Sequence, residues 1–296
     1  MAGLAAGASR IRQLSFAERR LAVLGSPISH SRSPLLHRAA YAALDLPWTY
    51  DPIELNEVEL PEFLESCGDE WRGLSLTMPL KRAVIPLLDS LDATAESTGA
   101  ANTVLFDTVA GRRTLRGFNT DVNGIVESFW AAGVDHLDSV RLLGSGATAT
   151  SALLAVSRLG ARTVDISART PKRAVPLAQL GDRLGLRVNV EQLDNAQIDA
   201  PGEAVISTIP GGAPASVSFS EASMLGSLLF EVTYDPWPTH LAAAWQRVGG
   251  RVVSGLEMLT HQALGQVRIF VGGDPELPLT DDARVLDAMR RGLAAR

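Results

Sequence analysis

Hydrophobic and polar positions alternate along this chain in a pattern typical of α/β proteins. Up to about residue 120, apolar runs such as LAVLG, WTYDPIEL and RGLSLT predict strands, and segments such as SPLLHRAAYAAL predict the helices between them. AANTVLFD and TLRGFN predict two further strands at the end of this half. In the first helix, Leu36, Ala40, Ala43 and Leu44 fall on one face, as expected of a helix that covers a sheet.

A second alternation begins at Arg141. The runs RLLGSG, TVDISART, RVNVEQ, AVISTIP, LLFEVTY and RVVSG predict strands, with helices expected at about 147–159 and 172–180. This order favours a doubly wound sheet. After Gly255 the pattern turns helical, and we expect this segment to pack back on the first half. The prediction is an α/β protein of two domains, residues 1–120 with 256–296 and residues 121–255, with a frayed extension before about residue 20.

Composition and charge exclude several classes of protein. The 296 residues are 46% hydrophobic with a formal net charge of -6, which is ordinary for a globular protein and offers no basic surface for nucleic acid. The lone cysteine, Cys67, excludes an internal disulfide and a thiolate metal cluster, so we expect a reducing, cytoplasmic location and no metal. We find neither the apolar run of a signal peptide nor a membrane-spanning stretch, and we expect a monomer or homodimer.

Arginine takes the place of lysine almost everywhere in this chain, since the 27 basic residues include only Lys81 and Lys172. Arginine stays protonated in proteins, whereas lysine can lose its proton. A strand-to-helix step after Pro79 places Lys81 in a first helical turn, where the helix dipole disfavours a cation. Both features favour Lys81 as an acid/base group. The alternative is an exposed lysine beside Arg82, and for Lys172 chance is an equally good explanation.

A glycine turn marks a candidate nucleotide site. In LLGSGATATSALLAV, Gly144, Gly146 and Ala147 lie between an apolar strand and an Ala-rich helix, with Thr148 and Ala149 where a third glycine would stand. Such a turn brings backbone amides and a helix N-terminus against a pyrophosphate. The alternative is a tight turn without a ligand, because a short glycine pattern is weakly specific.

The end of the next strand favours NADP over NAD. An NAD enzyme is expected to carry an acidic residue there for the ribose hydroxyls, but this chain offers Arg169 and Thr170, followed by Lys172 and Arg173. A guanidinium beside a hydroxyl suits a 2′-phosphate. Asp165 lies upstream and is expected on the other face of the sheet, and the alternative for the basic residues is a solvated helix start. Further coenzyme contacts are expected at Ala168, Thr208 and Gly255.

Six sequence blocks resemble the shikimate dehydrogenase family. In chain order they are GSPISHSRSPLLH from Gly25, LSLTMPLK, GAANT, GFNTD, VTYDPWPT and GLEMLTHQA. The resemblance implies an N-terminal α/β substrate domain and a Rossmann-like, doubly wound NADP domain, with the C-terminal helices on the first. It also implies the NADPH-dependent, reversible reduction of 3-dehydroshikimate to shikimate, in the pathway that supplies aromatic amino acids.

The resemblance also implies roles for individual side chains. Ser31 and Ser33 match the family's serines for the substrate carboxylate, and Tyr234 matches a tyrosine at the same end of the substrate. Lys81 and Asp121 match the acid/base pair at the reacting C3 hydroxyl. The other implied substrate contacts are Thr77, Asn102 and Gln262.

Several of these residues also have a structural explanation that requires no ligand. Ser33 before Pro34 looks like a helix N-cap with proline in the first turn. Asp121 opens the helix VNGIVESFWAAG, where a first-turn acid is favourable without any catalytic role. Asn102 could serve only as a turn former, and Tyr234 as a core or rim residue.

The chain also departs from the family pattern, which leaves two other functions open. The departures are Ser75, Leu76 and Thr77 in place of Asn-Val-Thr, Glu257 and Met258 in place of Gly-Met, and Ala168 in place of asparagine. Ser75 has a shorter reach than asparagine, so quinate stays open as a substrate. One alternative is therefore a quinate/shikimate dehydrogenase that prefers NAD. The other is a non-catalytic sensor of NADP and a shikimate-like ligand, against which intact Lys81 and Asp121 argue.

Overall fold

The computed structural model describes residues 18–194, 197–210 and 217–295. The chain divides into two compact units: the first runs to Thr120 and resumes at Thr260, and the second is Asp121–Leu259. The first strand begins at Arg19, close to the expected end of the extension at about residue 20. Residues 1–17 lie outside the described part. Within the described ranges, no helix is long and apolar enough to cross a membrane.

The first unit is built on a six-stranded mixed sheet. Its strands are β1 (Arg19–Gly25), β2 (Trp48–Glu54), β3 (Trp71–Leu76), β4 (Ser90–Leu91), β5 (Thr103–Val109) and β6 (Arg112–Phe118). They lie in the order β2-β1-β3-β5-β6-β4. The strand β1 pairs in parallel with β2 and β3, whereas β5 pairs antiparallel with β3 and β6. The carboxyl ends of β1 and β3 therefore lie side by side, and the predicted substrate residues follow them in the chain.

The second unit contains a six-stranded sheet in which every pairing is parallel. The strands of this part of the chain are β7 (Ser139–Leu143), β8 (Thr163–Ala168), β9 (Arg187–Gln192), β10 (Gln197–Ile198), β11 (Ala204–Ser207), β12 (Ser218–Phe219), β13 (Leu228–Glu231) and β14 (Arg251–Ser254). The large sheet has the order β14-β13-β11-β7-β8-β9, and β10 pairs with β12 in a separate two-stranded ladder. This is the doubly wound order, which confirms the predicted α/β class.

Helices connect these strands. They are α1 (Ser33–Ala43), α2 (Leu60–Ser66), α3 (Leu80–Ala83), α4 (Ala93–Thr98), α5 (Asp121–Ala131), α6 (Ala147–Arg158), α7 (Val175–Arg183), α8 (Glu221–Gly226), α9 (His240–Val248), α10 (Gly255–Gly272) and α11 (Asp282–Ala294). Short 3-10 turns at Ile85–Leu87 and Pro171–Ala174 precede or follow them. The predicted helices at about 147–159 and 172–180 correspond to α6 and to the 3-10 turn with α7.

The C-terminal helices complete the first unit, as the sequence predicts. Pro34 in the first turn of α1 and buried Leu36 and Ala40 one turn apart explain why this helix forms and which face it buries. The last helix, α11, packs closely on α1, because a methyl group on Gly292 would lie 3.0 Å from the Ala39 side chain. Small residues at this crossing let the two helices approach each other.

The winding of the second sheet creates its binding edge. The chain starts at the centre with β7, runs outward through β8 and β9, and then returns through β11 to the other side. On one face, Leu142 and Ile166 belong to the core that also holds residues of α5 and α6; on the other, Leu143 and Val205 pack in the core that contains Trp245. The direction of winding reverses between β7 and β11. In such sheets the crevice beyond the carboxyl ends of these two strands is where ligands bind.

Candidate functional site

Asn102 is the centre of a buried cluster of amide and hydroxyl groups. It immediately precedes β5, and its backbone carbonyl accepts the Leu76 N–H at 2.7 Å. Its side-chain Nδ2 donates to Thr120 Oγ1 at 2.9 Å and to Gln262 Oε1 at 3.2 Å, while its Oδ1 accepts the Thr120 N–H at 2.9 Å. The structure therefore brings together Asn102 and Gln262, two residues that the sequence places 160 positions apart.

Gln266 extends this cluster and was not predicted from the sequence. Its Nε2 donates to the Asn102 carbonyl and to Thr103 Oγ1, both at 3.1 Å. Its Oε1 accepts from Ser75 Oγ at 2.9 Å and lies 3.1 Å from His37 Nε2. Gln262 and Gln266 lie one turn apart on α10, so the repeat of a glutamine at this spacing was the available signal.

The surroundings of His37 fix its protonation state. Because the Asn102 carbonyl can only accept, Gln266 must direct its Nε2 there and its Oε1 toward the histidine. His37 therefore carries its proton on Nε2, and Nδ1 accepts from the Tyr41 hydroxyl at 3.1 Å. Burial lowers the pKa of His37 from 6.5 to about 3, against the opposing effect of the Gln266 bond. His37 is thus a neutral structural residue at ordinary pH.

Lys81 lies in α3, next to the Asn102 cluster. The Lys81 carbonyl accepts the Ala101 N–H at 2.8 Å, and Ala101 directly precedes Asn102. The helix-dipole argument from the sequence is wrong in its premise, because α3 has only four residues and too few aligned peptide units to build a macrodipole. Thr77 is half-buried between β3 and α3, where its N–H donates to Leu24 O at 2.9 Å.

The two predicted carboxylate ligands lie at the start of α1. The interpretation of Ser33 as an N-cap is wrong: the cap position is Arg32, Ser33 is the first helical residue, and no side-chain hydrogen bond caps this helix. Instead the Ser33 N–H donates to Ser31 Oγ at 3.3 Å. Ser33 is buried and Ser31 is half-buried. Because the Ser33 hydroxyl does not cap the helix, the capping explanation is removed and the ligand explanation for this hydroxyl becomes stronger.

Asp121 is the first residue of α5 and is only 3% exposed. It follows Thr120, which hydrogen-bonds to Asn102, by a single peptide bond. The predicted first-turn position is confirmed. A first-turn position does not explain why this carboxylate is buried, because the helix dipole also stabilises an exposed carboxylate.

The glycine turn after β7 has the geometry that a phosphate needs. Gly144 has φ +114°, and a methyl group there would overlap the Thr208 hydroxyl, which itself donates to Leu143 O at 2.8 Å. Gly146 is the N-cap of α6, with no side-chain cap, and a methyl group on it would have nothing within 4 Å. Ala147 and Thr148 form the first turn of α6. The helix N-terminus is therefore open to an anion.

A group of basic residues follows β8 in the same unit. Ala168 is the buried last residue of the strand, and Arg169, Thr170 and Arg173 after it are exposed. Asp165 is already engaged, since its carboxylate accepts from Arg141 at 3.3 Å and from Asn189 at 2.8 Å. This end of β8 can offer guanidinium and hydroxyl donors to a phosphate, as the sequence predicts for NADP.

Buried Glu231 organises the segment that carries Tyr234, a feature not predicted from the sequence. Glu231 ends β13 and accepts from the Thr239 hydroxyl at 3.0 Å and from the Thr233 N–H at 3.3 Å. Burial raises the pKa of Glu231. Tyr234 is half-buried between these two anchors. Close by in the same unit, Gly255 opens α10, where a methyl group would overlap the Val232 carbonyl, so packing already explains this glycine.

Comparison with known proteins supplies an independent view. Residues 23–104 match the family model described as the shikimate dehydrogenase substrate binding domain. The shikimate dehydrogenase (NADP(+)) of Methanothermobacter thermautotrophicus is 31% identical over 277 residues, which is 90% of this chain and 96% of that protein.

Solved structures agree with this relationship. Shikimate dehydrogenase from Mycobacterium tuberculosis is 37% identical with a TM-score of 0.78, covering 94% of this chain and all (100%) of that one. Shikimate 5-dehydrogenase from Thermus thermophilus, in complex with NADP(H) and shikimate, is 30% identical with a TM-score of 0.76, covering 93% of this chain and 99% of that one. The similarity extends through both units.

Proposed function

This chain belongs to the shikimate dehydrogenase family, and from that premise we propose that it catalyses the reversible, NADPH-dependent reduction of 3-dehydroshikimate to shikimate. In the reducing direction the carbonyl carbon C3 takes up a hydride and its oxygen takes up a proton. When bound, the dihydronicotinamide supplies the hydride. The chain itself must bind the hydroxylated ring, hold its carboxylate and supply the proton.

The observation that carries this proposal is the Asn102 cluster beside Lys81. A polyhydroxylated ring needs amide and hydroxyl partners that are already oriented, because a flexible partner loses entropy on binding. Asn102, Gln262 and Thr120 are buried and hold one another. We therefore propose Asn102, Gln262 and Thr77 for the ring hydroxyls.

The opposite end of the ring carries the carboxylate. We propose that Ser31 and Ser33 bind it at the start of α1, where the Ser33 side chain has no capping role. Tyr234 is proposed as a further ligand from the second unit. Hydroxyl donors at a helix start suit a carboxylate because they add to the partial positive charge of the free amides.

The proton is assigned to Lys81 and Asp121. A lysine can deliver a proton to the C3 oxygen and recover it, and the role proposed for the buried carboxylate of Asp121 is to orient the ammonium group and exchange the proton with it. Two such groups titrate as a pair, so a pH profile of turnover reports the pair rather than either residue.

The second unit fits NADP. Gly144, with its positive φ, and the uncapped start of α6 at Gly146 leave room and free amides for the pyrophosphate. Arg169, Thr170 and Arg173 would hold the 2′-phosphate. Ala147, Thr148, Ala168, Thr208 and Gly255 are proposed as the remaining coenzyme contacts.

A single assay tests the function. Purified enzyme is mixed with shikimate or quinate and with NADP⁺ or NAD⁺, and the nicotinamide absorbance is followed. We expect the highest kcat/KM for shikimate with NADP⁺. A preference for quinate with NAD⁺ would support the quinate/shikimate dehydrogenase instead. Absence of any absorbance change, with both ligands still binding, would support the non-catalytic sensor.

The chain also has a proposed domain division, cellular location and oligomeric state. We propose that residues 1–120 and 256–296 form the substrate domain and residues 121–255 the NADP domain. A cytoplasmic location is supported by the free, buried thiol of Cys67, which suits a reducing compartment. We propose a monomer or homodimer that binds no nucleic acid, in line with the net charge of -6.

A further inference from the structure

Glu231 is a buried acid at the end of a strand that is otherwise apolar. It follows Leu228, Leu229 and Phe230 in β13 and is only 2% exposed. Burying a carboxylate costs free energy that a further apolar residue at this strand end would not cost. Burial accordingly raises the pKa of Glu231. The folding of β13 therefore does not explain why this residue is an acid.

Three hydrogen-bond donors surround the Glu231 carboxylate. The Thr233 N–H donates to it at 3.3 Å and the Thr239 hydroxyl at 3.0 Å, and the Ser207 side chain is a third hydrogen-bond partner. The Thr239 hydroxyl gives its hydrogen to Glu231 while its oxygen accepts the Ala242 N–H at 3.1 Å, as the N-cap of α9. A carboxylate can accept from all three donors, whereas an amide has a single oxygen and brings N–H donors of its own.

These bonds tie the segment 232–239 to the end of β11. Glu231 and Ser207 lie directly opposite each other in the parallel pair of β13 with β11. The N–H of Thr233 bonds to Glu231, and the hydroxyl of the same residue donates to the Ile209 carbonyl at 3.0 Å. A shift of the segment 232–239 relative to the end of β11 therefore breaks bonds on both sides of Thr233.

The two joined segments carry residues that are proposed for different ligands. Thr208 directly precedes Ile209 and is a proposed coenzyme contact. Tyr234 directly follows Thr233 and is a proposed substrate ligand. Glu231 thus holds a coenzyme residue and a substrate residue of the second unit in one hydrogen-bonded arrangement.

We propose that Glu231 is a positioning residue that couples coenzyme binding to substrate binding through these bonds. The proposal rests on the proposed function, in which Thr208 contacts NADP and Tyr234 binds the substrate. When the coenzyme fixes the end of β11, the bonds of Glu231 and Thr233 also fix the segment that carries Tyr234. Less conformational freedom is then lost when the substrate binds. Such coupling is reciprocal, so each ligand raises the affinity for the other by the same factor.

The coupling can be measured with 3-dehydroshikimate and NADP⁺, which are both oxidised and therefore form a ternary complex without hydride transfer. Calorimetry gives the Kd of 3-dehydroshikimate without coenzyme and at saturating NADP⁺. In the wild type we expect NADP⁺ to lower this Kd by roughly 5- to 50-fold. In Glu231→Gln this ratio should fall below about twofold, because the amide N–H groups face donors. The Kd of NADP⁺ alone should change much less.

Two further variants separate this coupling from a loss of stability. Thr233→Val keeps the N–H that bonds to Glu231 but loses the hydroxyl bond to Ile209, so it should also lower the ratio. Ser220→Ala is the control in the same unit, because Ser220 caps α8 by accepting the Ser223 N–H at 3.3 Å and neither residue belongs to the two joined segments. We expect Ser220→Ala to lower Tm and to leave the ratio unchanged.

Three results would overturn the role of Glu231. The first is a ratio in Glu231→Gln equal to that of the wild type, and the second is a wild-type ratio near one. The third is an equal fall of the ratio in Ser220→Ala, since any destabilisation of the unit would then produce the effect. If Glu231→Gln does not fold, Thr233→Val decides by the same comparison with the wild type.

The test separates this inference from the function on which it rests. If the wild-type enzyme oxidises shikimate with NADP⁺ and the ratio is the same in Glu231→Gln, only the role of Glu231 is wrong. If the wild-type enzyme binds neither 3-dehydroshikimate nor NADP⁺, the proposed function is wrong and the role of Glu231 goes with it. If it binds both ligands without turnover, the ratio of Kd values still decides the role of Glu231.

Discussion

Lys81 is half-buried on the single turn of α3, tied to Ala101 beside the Asn102 cluster. In the proposed reaction it exchanges a proton with the C3 oxygen, which arginine cannot do because guanidinium stays protonated. Lys81→Ala should lower kcat by about 10²- to 10⁴-fold with a much smaller change in KM. Lys81→Arg, which keeps the charge, should lose a comparable factor. Steady-state kinetics with shikimate and NADP⁺ measure both.

The neighbouring arginine provides the control for this prediction. Arg82 is exposed and follows Lys81 in the same turn, so Arg82→Ala perturbs α3 equally without removing the proposed proton carrier. Its kcat should stay within about twofold of the wild type. Near-normal turnover of Lys81→Arg would show that the charge alone is required, and the acid/base role would then be wrong.

At the scale of single residues, the sequence identified groups whose neighbours in the chain already indicate chemistry. Asn102 and Gln262 were found from their motifs, and the structure joins them in one cluster. His37 was not found, because a polar residue on an amphipathic helix shows no sign of its partner until tertiary packing supplies one. Gln266 was not found either, and its signal was the spacing of one helical turn from Gln262. Ser33 was interpreted as a cap from the Ser-Pro pair, but the cap position is one residue earlier, at Arg32.

The turn between β7 and α6 contains two glycines, of which Gly144 is needed for folding and Gly146 for coenzyme binding. Gly144 has φ +114° and no room for a methyl group, whereas Gly146 has φ -84° and open space around it. Gly146→Ala should therefore keep the Tm within about 2 °C while raising the KM for NADP⁺ by roughly tenfold, because the methyl group would occupy the place of the pyrophosphate. Thermal unfolding measures the Tm of this variant, and steady-state kinetics at varied NADP⁺ concentration measure its KM for the coenzyme.

Gly144→Ala is the contrasting variant. Here the backbone conformation is strained for alanine and the methyl group meets Thr208, so we expect a clear loss of Tm in the absence of coenzyme. If Gly146→Ala bound NADP⁺ normally, the pyrophosphate could not lie against this turn, and the proposed coenzyme position would be wrong.

At the scale of elements, periodicity predicted which segments become strands and helices but not how short some of them are. The helix after Pro79 extends over four residues, because the chain passes from it into a second turn at Ile85–Leu87. The strand β4 has two residues, too few for any alternation to show. Strand order was also not predicted from the pattern, because the antiparallel pair of β5 with β3 joins residues distant in sequence, such as Ser75 and Thr103.

The whole molecule consists of two units that each have hydrophobic core residues of their own, around β1 and β3 in the first and on both faces of the sheet around β7 and β11 in the second. Two domains were predicted from length and from the change of pattern at Arg141. Each unit buries its own apolar residues, so a change in protonation within one core acts first on the stability of that unit. Acid therefore acts on the first unit through His37.

Below neutral pH, the first unit should lose stability because of His37. Its pKa is 6.5 in the unfolded chain and about 3 in the folded protein, where it contacts the neutral side chains of Tyr41, Tyr50, Gln266 and Phe270. Between these values the unfolded chain binds a proton that the folded chain cannot. The contribution of neutral His37 to stability is thus complete above pH 6.5. Below pH 6.5 the free energy of unfolding falls by up to about 1.4 kcal/mol for each pH unit. Guanidinium unfolding measured from about pH 8 to 5 should show this dependence of the free energy of unfolding on pH. In His37→Gln the slope should decrease by the equivalent of about one bound proton. In His136→Gln, whose side chain is exposed, the slope should stay unchanged. Equal slopes in wild type and His37→Gln would mean that this buried imidazole is not what makes the first unit sensitive to acid.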